Sequence, residues 1–363
     1  MHERDCLIAL SVAGLHYSKP LSILKEYFGS FEDVFYAPGD LLEKVIGPGP
    51  YRNKVIQGAV EDKAALQHRV DEIKERHSII TLLDDQYPEN LKEIYDPPWV
   101  LYIKGKPLKS NPMIGMVGAR KASTYGKWAA DYFARELTKF GVGVVSGLAY
   151  GIDAAGHQGC LNAGGYSVGV LGCGIDKTYP SYNQSLYREL EENGTIISEY
   201  GPGVEPQKHF FPARNRIISG LSAGIFVIEA REKSGSLITA EFAMEQGREV
   251  FALPGNINSQ LSAGTNKLLR DGARCVLEIN DIIEPIASML PMEHYNDTMK
   301  EVSIPLSEQE KRVLILIAQE PTPIEVLLHK AEFTISELNG ILTILELKGL
   351  VQQLPGKRFT ACR

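Results

Sequence analysis

The chain has 363 residues, with 38 Lys+Arg against 45 Asp+Glu, hydrophobic residues at 44% and aromatics at 8%. Those fractions belong to a globular protein of about two or three domains and exclude a disordered, collagenous or repeat-built chain. A net charge of −7 argues against coating nucleic acid through bulk attraction, while leaving room for a local basic cleft.

No run of 18 apolar residues is present, so no membrane span is expected. Met1-His2-Glu3-Arg4-Asp5 also lacks the basic-then-apolar pattern of a signal peptide. Five cysteines (Cys6, Cys160, Cys173, Cys275, Cys362) are scattered without a C-x-x-C pair. Neither a disulfide framework nor a metal cage is expected, and a reducing cytoplasm is the expected home. The charge is uneven. Segments 1–107, 286–302 and 303–363 carry −4, −2 and 0, which leaves −1 for residues 108–285.

Residues 1–75 read as a small helical module, because Leu21, Leu24, Phe28, Phe31, Val34 and Phe35 fall at helical spacing. Gly47-Pro48-Gly49-Pro50 has the outline of a helix-hairpin-helix, whose amides hold a phosphate. Its prolines remove two of those amides, so a packing module is the simpler reading. Residues 76–107 read as a connecting segment.

From 108 to 285 short apolar runs recur, bounded by glycines or small polar residues. They are Met113–Val117, Val142–Val145, Ser167–Leu171, Thr195–Ile197, Gly224–Ile228, Val250–Leu253 and Cys275–Leu277. Runs of that kind suit strands buried on both faces, and helix-length stretches separate several of them. The fold class expected is α/β, a doubly wound, mostly parallel sheet.

Four signals fall at the carboxyl ends of these strands, where open α/β sheets bind ligands. Gly118-Ala119-Arg120, ahead of Ser123-Thr124-Tyr125-Gly126, predicts a turn that admits an anion to a helix N-terminus, with Arg120 as a phosphate fork. Ser146-Gly147-Leu148-Ala149-Tyr150-Gly151-Ile152-Asp153 repeats the pattern, and Gly172-Cys173-Gly174-Ile175-Asp176 leads to Tyr179-Pro180. Taken singly, each could be no more than a tight strand-to-helix turn. The fourth, Lys208-His209-Phe210-Phe211-Pro212-Ala213-Arg214-Asn215-Arg216, interleaves cations with rings. That pattern suits single-stranded nucleic acid, with cations on phosphates and rings on bases. One of the two phenylalanines is expected in the core. Ser234-Gly235-Ser236-Leu237-Ile238-Thr239 adds hydroxyls at a predicted helix start.

Catalytic machinery is sparse. His157 suits packing or capping, Asp153 and Asp176 suit helix starts, and Cys173 has no base near it in sequence.

Residues 286–302 read as a linker. Residues 303–363 follow a helix, helix, helix, ribbon order, a winged-helix pattern whose third helix usually reads duplex DNA. Here that helix offers Glu337, Glu346 and a lone Lys348, so a partner or structural contact fits better.

The motifs taken together resemble the bacterial DNA-processing protein A (DprA/Smf) family. They are Val117-Gly118-Ala119-Arg120, Ser146-Gly147-Leu148-Ala149-x-Gly151-Ile152-Asp153, Gly172-x-Gly174-x-Asp176-x-x-Tyr179-Pro180, Phe211-Pro212-x-Arg214-Asn215-Arg216-Ile217-Ile218 and Ser234-Gly235-Ser236-Leu237-Ile238-Thr239-Ala240. The resemblance implies a Rossmann-like, homodimeric protein, with no catalytic turnover and no cofactor, that binds single-stranded DNA during natural transformation. It would protect the strand and hand it to the RecA recombinase. Carried onto this chain, Gly118, Arg120, Ser146, Gly147, Lys208, Phe211, Arg214, Asn215 and Arg216 would line the DNA pocket, with Ser236 and Thr239 as further phosphate contacts. The competing readings are a nucleotide sensor and a nucleotide phosphoribohydrolase. The latter needs P-G-G-x-G-T-x-x-E, from which Ser234–Glu241 departs in its glycines and its Glu spacing.

Overall fold

A computed structural model describes residues 2–47, 63–290, 307–317, 322–331, 333–347, 350–354 and 357–361. Its backbone contacts divide the chain into two compact units, 1–294 and 295–363.

The first unit opens with α1 (Glu3–Val12), α2 (Ser18–Phe28), α3 (Phe31–Tyr36), α4 (Gly39–Ile46) and α5 (Lys63–Arg76). Ser30 starts α3 by accepting the Asp33 amide at 3.0 Å, the usual service of an N-cap serine. The helix-hairpin-helix outline falls largely on residues 48–62, outside the described residues. The inward side chains of these helices, among them Leu7, Ile8, Leu24, Phe31 and Leu42, join one apolar cluster with Leu148, Leu171, Cys173 and Ile196 of the α/β part. The module therefore packs directly on the sheet.

Residues 76–107 do more than connect. They form β1 (Ser78–Thr81), α6 (Glu89–Lys92) and β2 (Val100–Gly105). Val100 and Tyr102 enter the cluster shared with the N-terminal helices, while Leu101 and Ile103 enter the opposite one. β2 is thus an apolar run buried on both faces like the core strands, although it lies ahead of the alternating strand–helix stretch.

The remaining elements alternate: β3 (Met113–Val117), α7 (Thr124–Lys139), β4 (Gly143–Ser146), α8 (Ile152–Asn162), β5 (Ser167–Leu171), α9 (Gln184–Asn193) and β6 (Thr195–Ser198). Then follow α10 (Phe210–Gly220), β7 (Gly224–Val227), α11 (Gly235–Glu245), β8 (Glu249–Ala252), α12 (Ala263–Arg270), β9 (Arg274–Cys275) and α13 (Asn280–Ile286). Sheet order is β1-β2-β6-β5-β4-β3-β7-β8-β9. Strands β3 to β9 are parallel, and β1 and β2 run antiparallel at one edge. The chain winds outward from β3 through β6, then returns to lay β7 against the other side of β3. That reversal is the topological switch point of a doubly wound sheet, and it opens a crevice at the carboxyl ends of β3 and β7.

The second unit holds α14 (Glu308–Ile317), β10 (Thr322–Pro323), α15 (Ile324–Ala331), α16 (Ile335–Leu347), β11 (Val351–Leu354) and β12 (Arg358–Ala361). Its three strands pair in the order β10-β12-β11. Val313, Ile317, Leu338, Leu342, Leu345 and Phe359 form a core of its own, completing a winged helix. Capping boxes start two of its helices: Ser307 with Glu310, and Thr334 with Glu337. Glu337 thus serves to begin its own helix.

Candidate nucleic-acid interface

The crevice at the switch point is a cleft of about 590 Å³. The turn after β3 contributes Gly118 and Arg120, the loop before α10 contributes Lys208, and α10 contributes Phe211, Arg214, Asn215 and Ile218. The fourth wall is the start of α11, with Lys233, Ser234, Gly235, Ser236 and Thr239. The first and fourth sequence signals and the Ser234–Thr239 helix start thus become walls of one cavity, with Ala149 and Asp153 of the second signal and Tyr179 beyond the third on its lining, although 121 residues separate Gly118 from Thr239 along the chain.

Helical phase assigns the α10 residues. Phe211, Arg214, Asn215 and Ile218 recur at three- and four-residue steps and face the cleft. Phe210 lies a step of about 100° away and is buried at 1% exposure, stacked on Tyr200 with centroids 4.2 Å apart. Phe211 stays partly open, with the Arg120 guanidinium over its ring at 5.9 Å and Tyr179 beside it at 5.3 Å. One phenylalanine serves the core and the other the cleft, as the sequence predicts.

Arg216 requires a correction. It lies two positions beyond Arg214, so it points to another side of the helix. There it is buried and makes two bonds to Glu199, at 2.6 and 3.0 Å. It also donates to the Asp96 carbonyl at 2.8 Å and to Ser18 of α2 at 3.3 Å. Arg216 fastens the N-terminal helices to the sheet and does not reach the cleft. Ser146 is likewise wholly buried, its hydroxyl donating to the Met116 carbonyl at 2.6 Å. It joins β4 to β3 and presents nothing to a ligand.

Arg214 reaches the cleft but is mostly spent. Its guanidinium donates to the carbonyls of Gly147 (3.0 Å) and Val170, and its Nε to Asn215 Oδ1 at 3.2 Å. Gly147 is required for this: a Cβ there would sit 2.5 Å from the guanidinium. At Gly118 a Cβ would meet Ile152 at 2.5 Å and the Glu229 carbonyl at 2.9 Å, so packing already demands glycine there. Asn215 donates to the Gly235 carbonyl at 3.3 Å and ties α10 to α11. At the α11 start, Ser234 and Ser236 pair their hydroxyls at 2.7 Å.

The N-terminus of α7 is also occupied. Glu229 accepts the Ser123 amide at 2.9 Å as well as the Ser123 hydroxyl, and Ser123 caps the helix. The anion expected at this turn is thus supplied by the protein itself. In the same way Asp153 accepts the amides of Gly147 and Ala149, at 3.2 and 3.3 Å. This holds Leu148 at φ 57°, a left-handed conformation costly for leucine, with Asn183 donating to the Leu148 carbonyl at 2.9 Å. Burial pushes the Asp153 carboxyl up, against the pull of Arg214 and the two amides. Asp153 is a clasp.

With both carboxylates committed, the mobile charge of the cleft is positive. Arg120, Lys208 and Lys233 are exposed, and among the described residues none is ion-paired. Lys233 and Tyr179 also line the cleft; Tyr179 belongs to the third motif but not to the expected pocket residues, and Lys233 is in neither. The signal for Lys233 was a lysine directly before a Ser-Gly-Ser helix start.

The groups considered for chemistry are placed elsewhere or silenced. Burial, aided by the Arg214 charge, pushes His157 down to about 3, so it is neutral, and its Nδ1 pairs with Ser167 at 2.7 Å. Burial lifts the Cys173 thiol to about 11. Asp176 accepts the Gly203 amide at 2.9 Å. Glu241 lines a separate groove with Met244 and Lys267, outside the cleft where a phosphoribohydrolase would need it.

The fold and this cationic, ring-bearing cleft at a switch point define a Rossmann-like binding protein with an attached winged helix. Comparison with known proteins is specific. The profile of the family described as DNA recombination-mediator protein A matches residues 78–287, and that of the DprA winged helix domain matches 298–357. The chain belongs to this DprA/Smf family. It is 32% identical to Protein Smf of Synechocystis sp., across 93% of this chain and 94% of that one. The X-ray structure of DNA processing protein A from Streptococcus pneumoniae superposes with a TM-score of 0.68 at 35% identity, covering 80% of this chain and 98% of that one. That of the Helicobacter pylori protein, described for its single-stranded DNA binding mode, gives 0.54 at 31%, covering 60% and 98%.

Proposed function

We propose that this chain binds single-stranded DNA in the cleft between β3 and β7, as a mediator that delivers the strand for recombination. The observation that carries the reading is the juxtaposition of three exposed cations (Arg120, Lys208, Lys233), none ion-paired among the described residues, with the half-buried ring of Phe211 on one wall. Cations hold phosphates without regard to sequence, and a ring accepts any unpaired base, whereas a duplex keeps its bases out of reach. The Helicobacter pylori relative, described for binding single-stranded DNA, supports the same ligand here.

The family description as a recombination mediator supports delivery of the strand for recombination; we extend this reading to the RecA recombinase as recipient during natural transformation, with the chain acting as a homodimer in the cytoplasm. The role is binding and transfer without turnover. A neutral, buried His157 and a thiol held protonated fit that role better than they fit a nucleophile–base pair.

Arg120→Ala and Lys208→Ala test the pocket. Each is expected to weaken oligonucleotide binding about equally across base compositions and to flatten its salt dependence. Unchanged affinity in both would remove DNA from this cleft.

A further inference from the structure

The helix that leaves the cleft carries a second feature. Tyr125, Trp128 and Tyr132 of α7 form a ladder, with centroids 5.9 Å apart at 28° for the first pair and 5.4 Å at 12° for the second. Their spacing places them on one side of the helix, away from the face that buries Ala129, Ala130, Phe133 and Leu137. All three are exposed, at 53%, 56% and 39%. Three stacked rings in water, one of them an indole, are an apolar surface that a ligand would stabilise by covering.

Two observations say which ligand. The ladder is continuous with the cleft: Arg120 lines the cleft, and Tyr125 follows five residues later, at the first turn of the helix. Its charge also falls off with distance from the cleft. Lys121, at the near end, is exposed and among the described residues has no ion-paired carboxylate. Farther along, Arg135 is paired with Asp131 at 2.6 Å and Lys139 with Glu136 at 2.6 Å. From Tyr125 to Tyr132 the helix rises about 10 Å, enough for a short run of nucleotides.

We propose that this ladder is a second contact for single-stranded DNA, on which nucleotides flanking those in the cleft stack against Tyr125 and Trp128 while Lys121, in the turn that joins the cleft to the ladder, holds a phosphate. The inference rests on the cleft reading, and its test separates the two. Tyr125→Ala and Trp128→Ala, in the full chain and checked for fold by circular dichroism, are titrated against thymidine oligonucleotides of ~6 and ~20 nucleotides, lengths that bracket common site sizes. Each variant lowers affinity for the long strand about five- to tenfold, the loss of one stacked base, and leaves the short strand unchanged. Arg120→Ala weakens both lengths. The chain has two tryptophans, so in Trp99→Phe the indole of Trp128 reports alone, quenched by the long strand and not by the short one. Full long-strand affinity in both ring variants, with Arg120→Ala still impaired, overturns the ladder and leaves the cleft standing. Full affinity in all three variants overturns both. A Trp128 already shielded from acrylamide in the free protein would show that protein covers the ladder, and would overturn it as well.

Discussion

Arg216→Ala separates two roles that the sequence leaves merged. The guanidinium and the Glu199 carboxylate are both nearly enclosed, with side-chain exposures of 9% and 6%. Removing the cation strands a buried carboxylate that has lost two charge-assisted bonds, and breaking such a pair costs about 3–5 kcal/mol. Further contacts to the Asp96 carbonyl and Ser18 go with it, so the N-terminal helices lose their tether at the same stroke. At ~2–4 °C per kcal/mol for a unit of this size, the melting temperature falls by roughly 6–20 °C. Differential scanning calorimetry reads the shift, and anisotropy at low temperature reads DNA affinity on protein that is still folded. Affinity stays at the wild-type level. Replacing both partners, as Glu199→Leu with Arg216→Met, recovers most of the lost stability, because an apolar pair of similar volume avoids the desolvation cost. A variant that melts normally but loses DNA would refute the reasoning and return Arg216 to the cleft.

The adjacent phenylalanines divide in the same way. Phe210→Ala costs about 3–5 kcal/mol of stability, while Phe211→Ala leaves the melt nearly unchanged and weakens single-strand binding about tenfold, read by paired melts and titrations. Acid exposes His157. Its folded pKa of about 3 lies below the ordinary ~6.5, so its contribution is complete above pH ~6.5 and is lost as pH falls toward 3, at up to ~1.4 kcal/mol per unit. Denaturant titrations from pH 7 to 5 show the decline, and His157→Gln flattens it.

Much of the α/β core was legible because its strands are short apolar runs ended by glycine. Met113–Val117 and Ser167–Leu171 are strands with those bounds. Val100–Gly105 is an apolar run of the same kind, ended by Gly105, but it escaped because it lies ahead of the alternating strand–helix stretch and joins the sheet antiparallel to β6. The cleft was legible in outline, since strand-to-helix turns of a doubly wound sheet must gather at one edge. What was not legible depends on distance in sequence. Nothing local shows that Glu229, 106 residues from Ser123, holds the capping serine of the helix expected to receive an anion. Arg216 differs, because its error was visible in principle: residues two apart on a helix cannot share a face, and Arg214 already held the cleft side. The motif was read as a composition when it was a helix with two faces.

Three cations and a ring in one cleft are proposed to hold a single strand. The most direct test is anisotropy of a labelled ~30-nucleotide strand against the matching duplex across a salt series. Clear preference for the single strand is expected, with log K falling against log salt at a slope of about −2, near −0.7 for each phosphate met by Arg120, Lys208 and Lys233. A ladder contact from Lys121 would steepen it, and Lys233→Ala would remove about 0.7. Equal, weak binding of strand and duplex would contradict the account.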